Sequence, residues 1–232
     1  MKRLWYTLIF YSAMACGIAH AGQLTVAITG DGYTNDTQFQ MDAALVQQTI
    51  MGMAPYNARP QDLKWVIVPN TTTDLGCQVG WLSRILSCNL SAVTTYVSNY
   101  TLYNKIIVLV NTPTYGGQGG STATVCYNGD PRVCAHEFGH TLAGLLDEYV
   151  LYGTGTVAER LNKNCYMSTN DSTHYPYVGC NYANWSRAHP TCLMKELSAN
   201  TFCPICQGLI NQAIDSYVAP APVVVKKGKG RH

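Results

Sequence analysis

Two histidines four residues apart, His136 and His140, with a carboxylate directly after the first at Glu137, form the segment of this chain best equipped for chemistry. On an α-helix of 3.6 residues per turn the two imidazoles stand about 40° apart around the axis and roughly 6 Å apart along it, so both lean toward one point. That arrangement grips a zinc ion. Glu137 stands at the flank of that point, where a carboxylate can take a proton from a water without displacing it, the task of a general base in metal-assisted hydrolysis. Phe138, Leu142 and Leu145 fall on the other side of the helix and are expected in the core.

The helix that carries these groups has legible ends. Asp130 is a good N-cap and Pro131 suits the first helical position, where a missing N–H costs nothing. Gly144 marks the stop. Were the helix to continue, Asp147 would stand about 10 Å along the axis from His140, far beyond a metal bond of roughly 2 Å. A reversal at Gly144 would bring Asp147 back under the ion, which makes it the expected third protein ligand. Glu148 is the alternative, either as ligand or as a hydrogen-bond partner of a liganding histidine.

Around that helix, residues 24–29 read as a first strand running into the Gly30-Asp31-Gly32 turn. Residues 38–53 carry a helical pattern with Met41, Ala44, Leu45 and Ile50 as its apolar face. A short strand at 65–68 is stopped by Pro69, and residues 91–102 are a further helix. The run Lys105-Ile-Ile-Val-Leu-Val110 is the clearest strand, apolar enough to be covered on both faces. A glycine-dense loop at 115–120 follows, then residues 121–127 as an edge strand open to an added peptide strand. Residues 147–192 read as a loop-rich lobe, and 202–217 as a closing helix.

Length and composition place most of the chain in one globular domain: 232 residues, 47% hydrophobic and 12% charged. Residues 1–21 stand apart, with Lys2 and Arg3 before an apolar run and Ala19-His20-Ala21 as a small-x-small cleavage site, the pattern of a secretory signal peptide. Lipid attachment at Cys16 is the lesser alternative. Residues 219–232 form a Pro- and Val-rich basic tail. Six of the 15 lysines and arginines lie in the leader or from Lys226 onward, leaving nine against 13 acidic residues in the body, a net of about −4. Nucleic acid is not an expected partner, no stretch is apolar enough for a transmembrane segment, and the chain is expected as a monomer. Ten cysteines in an exported chain indicate disulfides. Spacing suggests Cys77 with Cys88, Cys126 with Cys134 and Cys165 with Cys180. Cys192, Cys203 and Cys206 would then give one more bridge and one odd thiol, a bridge being favoured for Cys203-Pro-Ile-Cys206 over a second zinc site.

Taken together, the Gly30-Asp31-Gly32-Tyr33-Thr34 turn, Val110-Asn111 with Tyr115-Gly116-Gly117, the run from His136 through Asp147-Glu148-Tyr149, and His189-Pro-Thr-Cys-Leu-Met194 followed by Phe202-Cys203-Pro204-Ile205-Cys206 resemble the secreted IgA-peptidase-type zinc metallopeptidases, a branch of the zincins. The resemblance implies an α/β, zincin-like fold: a twisted mixed sheet, an active-site helix and a loop-rich, disulfide-pinned C-terminal lobe, all within residues 22–218. It implies a zinc-dependent endopeptidase with protein or peptide substrates, Zn2+ held by His136 and His140, Glu137 as base, and Met194 in a turn beneath the metal. The common metzincin pattern has glycine and histidine where this chain has Ala143 and Leu146, with Gly144 and Asp147 one step later.

Hydrolysis also needs a donor to the developing oxyanion, for which Tyr149, Tyr166, Tyr182 and His189 are candidates. Two other functions suit the same residues: a zinc-stabilised extracellular binding or adhesion module without turnover, and an amidase of cell-wall peptides.

Overall fold

The computed structural model describes residues 22–80, 84–155, 164–166 and 174–218. The expected signal peptide with Cys16 and the expected tail from residue 219 lie outside them. The sheet is built outward from the most apolar run. Strand β1 spans Leu24–Asp31, helix α1 Asp36–Gly52, β2 Leu63–Ile67, β3 Gln78–Val79, β4 Leu86–Ser87, α2 Leu90–Ser98 and β5 Lys105–Val110. They are followed by β6 Gly117–Gly119, β7 Ala123–Tyr127, helix α3 Pro131–Ala143, β8 Val150–Tyr152, β9 Cys165–Tyr166, β10 Tyr177–Arg187 and α4 Pro204–Val218.

All six residues of β5 are buried, and the strand pairs in parallel with β1 on one side and β7 on the other. The order across the sheet is β2-β1-β5-β7-β6, with β6 antiparallel. Alternation along β5 divides the core in two. Ile107 and Leu109 pack with α1, α3 and α4; Ile106, Val108 and Val110 pack with Val93 and Val97 of α2. The chain leaves β1 in one direction and returns past it to β5, so right-handed crossovers place α1 and α2 on opposite faces. Lys105, at the buried start of β5, places its ammonium against the Ser121 carbonyl at 2.6 Å.

Three expectations shift here. The buried face of α1 is Phe39, Ala43, Val46 and Ile50, while Met41 and Leu45 are exposed. Two apolar stripes run along this helix, and the one that carries the aromatic ring faces the sheet, where Phe39 meets Tyr33 edge-on. Helix α2 also ends at Ser98, short of residue 102. Nor is β7 an edge: β6, inside the glycine-dense loop, pairs with it and takes that place.

The C-terminal lobe contains more order than its composition suggested. Strand β10 runs for 11 residues between β8 and β9. Cys165 and Cys180 are bridged, as are Cys77 with Cys88 and Cys126 with Cys134. Cys192, Cys203 and Cys206 form no bridge, contrary to the expectation of a fourth. Asn70, Asn89 and Asn184, each in an Asn-x-Ser/Thr sequence, act structurally. Asn70 bonds the Gly30 and Thr73 carbonyls, Asn89 caps α2, and Asn184 exchanges two bonds with Gly155. No helix among the described residues is long and apolar enough to cross a membrane.

Helix α3 lies between the sheet and α4, and its anchor is Phe138, fully buried against Tyr56 and Trp65. Phe138→Ala should lower the free energy of unfolding by about 3–5 kcal/mol, read from urea denaturation. A loss below about 1 kcal/mol would show that the anchor lies elsewhere.

Candidate active site

Helix α3 starts and stops where its sequence says. The Asp130 carboxylate accepts the Arg132 N–H at 2.9 Å and Pro131 is the first helical residue. Gly144 follows the last turn in the left-handed conformation, φ 59° and ψ 34°, and Leu145 donates back to the Gly139 carbonyl at 3.4 Å. This is the reversal that glycine permits at low cost. Its consequence is that Asp147 returns to the helix. Asp147 Oδ1 lies 3.0 Å from His136 Nε2 and 3.3 Å from His140 Nε2, and the two Nε2 atoms are 3.2 Å apart.

The far side of each ring determines what the near side can offer. His136 Nδ1 faces the Leu193 carbonyl at 2.9 Å, and His140 Nδ1 faces the Leu145 carbonyl at 2.6 Å. A carbonyl only accepts, so both Nδ1 atoms carry hydrogen and donate. In a neutral ring Nε2 is then left with a bare lone pair. Two lone pairs and a carboxylate oxygen therefore converge with no donor among them. Such a triangle calls for a cation. Its size suits one as well: around an ion with bonds of about 2.0–2.1 Å, tetrahedral ligands stand about 3.3–3.4 Å apart. The three residues fit a bound metal.

Glu137 sits beside this triangle, held from the sheet side. The Gly119 N–H donates to its carboxylate, and burial raises its pKa while the His136 and His140 imidazoles pull it down. The glycines of β6 owe their presence to this contact. A Cβ on Gly117 would stand 2.7 Å from Glu137 Cγ, and one on Gly119 would stand 2.4 Å from His140 Cβ. Neither has a positive φ, so close approach rather than turn geometry requires them. The β6 edge is also less open than expected: Gly117 donates to the Arg84 carbonyl at 3.0 Å, and the Gly119 N–H is taken by Glu137.

Below the helix, a Cβ on Gly139 would meet Met194 Sδ and Phe202 Cε1 at 3.0 Å each. Met194 thus packs against the helix at Gly139, the residue before His140. Glu148 turns away from the histidines. Its carboxylate accepts from Asn164 Nδ2 at 3.0 Å and faces the sulfurs of Cys203 and Cys206, so the alternative roles considered for it at the histidine site do not hold.

A cleft of about 1070 Å³ opens over the site. Of the sequence's four oxyanion candidates, only Tyr149 lines it. Burial and the Asp147 carboxylate hold the Tyr149 hydroxyl well above its ordinary pKa. Tyr182 packs instead on Tyr152 and Trp185, and Tyr166 stacks on Tyr175. Arg84 and Tyr115 line the cleft without having been anticipated, and the Arg84 guanidinium lies 5.6 Å over the Tyr149 ring. Nothing local in the sequence marks Arg84, because it arrives from a distant loop.

This geometry meets an independent finding: the family model described as IgA Peptidase M64 matches residues 79–168. That segment is similar to the IgA Peptidase M64 family. The match takes in β6, α3 and Asp147 and supports a metallopeptidase, while the Gly30–Thr34 turn and the motifs from His189 onward lie outside it. Among solved structures, the crystal structure of metalloproteinase-II from Bacteroides fragilis is similar at 12% identity and a TM-score of 0.36. The similarity covers 53% of this chain and 42% of that one, so the chain spans less than half of that protein's length. No curated protein matches.

Gly117→Ala should push the Glu137 carboxylate aside while leaving both histidines and Asp147 in place. Peptide cleavage is expected to fall by about 10²-fold, the scale for a reacting group displaced by about 1 Å, with metal content unchanged. Equal loss of metal and activity would show instead that the whole helix had moved.

Proposed function

We propose that the protein is a secreted zinc-dependent endopeptidase in which His136, His140 and Asp147 hold the ion and Glu137 is the general base. The observation that carries this reading is the triangle of three acceptors, both imidazoles oriented from behind by carbonyls, with a sheltered carboxylate directly beside it. Two imidazoles and one carboxylate suit zinc with a coordination position left for chemistry. Bound there, zinc supplies Lewis-acid polarisation and acidifies water.

The remaining work belongs to the chain. Glu137, oriented by the Gly119 N–H, accepts the proton of the attacking water and passes it to the departing amine. Tyr149 and Arg84, at the cleft wall, offer an O–H and a guanidinium to the carbonyl oxygen as negative charge gathers there. The cleft, more than 1000 Å³ in volume, admits an extended peptide. Residues 22–218 make up the peptidase domain in this reading. Three disulfides within it fit an oxidising compartment and agree with a leader at residues 1–21. A binding module without turnover would have no physical need for a base held at Glu137.

Glu137→Gln should retain zinc while cleavage of an unfolded protein substrate falls by about 10² to 10⁴. Full activity in that variant would remove Glu137 from the mechanism. Asp147→Asn should weaken the metal site itself: a chelator that leaves the wild type active should inactivate the variant, and re-added zinc should restore it. Unchanged chelator resistance would place the third ligand elsewhere.

A further inference from the structure

Behind the active-site helix, three thiols and one carboxylate share a pocket in the core. Cys192, Cys203, Cys206 and Glu148 are all buried, at 0%, 5%, 0% and 1% exposure, and their donor atoms lie within 4.8 Å of one another. The Sγ atoms of Cys192 and Cys206 are 3.7 Å apart; Glu148 Oε1 is 3.1 Å from Cys206 Sγ and 3.7 Å from Cys203 Sγ. A disulfide would require about 2.05 Å between sulfurs. Ligands sharing a tetrahedral ion, with bonds of about 2.3 Å to sulfur and about 2.0 Å to oxygen, stand about 3.8 Å apart for two sulfurs and about 3.5 Å for sulfur and oxygen. The observed separations follow the second pattern.

The polar accounting points the same way. Glu148 Oε1 accepts from Asn164, but Oε2 is buried without any partner, and no lysine or arginine pairs with this carboxylate among the described residues. A buried carboxylate without a cation is strongly disfavoured. The Cys203 N–H donates to Cys192 Sγ at 3.2 Å, and Cys203 and Cys206 flank the first turn of α4, whose N-terminal end favours thiolates.

We propose that Glu148, Cys192, Cys203 and Cys206 form a second metal site, a closed structural site for zinc or a similarly thiophilic divalent ion. Four protein donors fill a tetrahedral shell and leave no position for water, which separates this site in kind from the one on α3. Its location gives it a task. Glu148 follows Asp147 in the chain and donates its N–H to the Met194 carbonyl at 2.8 Å, while Cys192 precedes Leu193, whose carbonyl orients His136. An ion here ties together the two segments that deliver the third ligand and the histidine's orienting carbonyl.

The test uses the full chain expressed with its disulfides and loaded with cobalt, in three forms: wild type, Cys206→Ser, and the His136→Ala/His140→Ala double variant. A thiolate-to-cobalt charge-transfer band is expected in the wild type and in the double histidine variant, and lost in Cys206→Ser. Metal content should fall from about two equivalents to about one in the double histidine variant. Persistence of the band there supports the second site whether or not the α3 site proves hydrolytic, so the two readings fail separately. Should Cys206→Ser not fold, alkylation of wild-type protein unfolded in chelator, followed by peptide mapping, decides the matter. Modification at all three of Cys192, Cys203 and Cys206 is expected. A disulfide between any two of them, or three free thiols with no cobalt-thiolate band, overturns the proposal.

Discussion

Two backbone carbonyls, from Leu193 and Leu145, determine which nitrogen His136 and His140 each present to the cleft. Because a carbonyl can only accept, each ring keeps a hydrogen on Nδ1 and, when neutral, turns a lone pair forward. The rest of the site follows from that constraint. With neutral imidazoles so oriented, an additional carboxylate at 3.0 and 3.3 Å completes a set of acceptors that suits a cation. One of the two carbonyls comes from the very turn, just past Gly144, that also returns Asp147. The other comes from a segment some fifty residues downstream, so the site is complete only when the C-terminal lobe has docked on the helix.

The helix itself is positioned by contact on two sides, and glycine is what allows both. On the sheet side, β6 approaches closely enough that a methyl group on Gly117 or Gly119 would strike Glu137 or His140. On the core side, Met194 and Phe202 press against Gly139. Close packing of this kind transmits displacement rather than absorbing it. The position of Glu137 is thus tied to the β6 edge, and the position of the histidines to the packing beneath them. Bridging of Cys126 to Cys134 ties β7 to α3 by a covalent link, reinforcing the same relationship.

What the sequence made legible was mostly local. The ends of α3, the return of Asp147 and the buried run of β5 depend on neighbours within a few residues, where capping, glycine conformation and periodicity operate. The three disulfides span short separations and were readable for the same reason. The errors concern the choice between equivalent local patterns. Helix α1 carries two apolar stripes, and only the sheet beneath decides that Phe39 rather than Met41 is buried. The edge of the sheet was assigned to β7 because three glycine-rich residues gave no sign of being a strand. Arg84, and the meeting of Glu148 with three cysteines, could not be seen at all, since each depends on segments far apart in sequence. The family resemblance singled out Met194, which the structure places in the core against Gly139.

The account depends on both histidines holding their hydrogen at Nδ1 while Nε2 faces a cation. Nitrogen-15 NMR of the histidine side chains reads this directly, with and without zinc. The prediction is that His136 and His140 are Nδ1–H tautomers throughout, and that only their Nε2 resonances shift when zinc is added. A hydrogen on Nε2 of either ring in the zinc-loaded protein, or resonances indifferent to zinc, would contradict it.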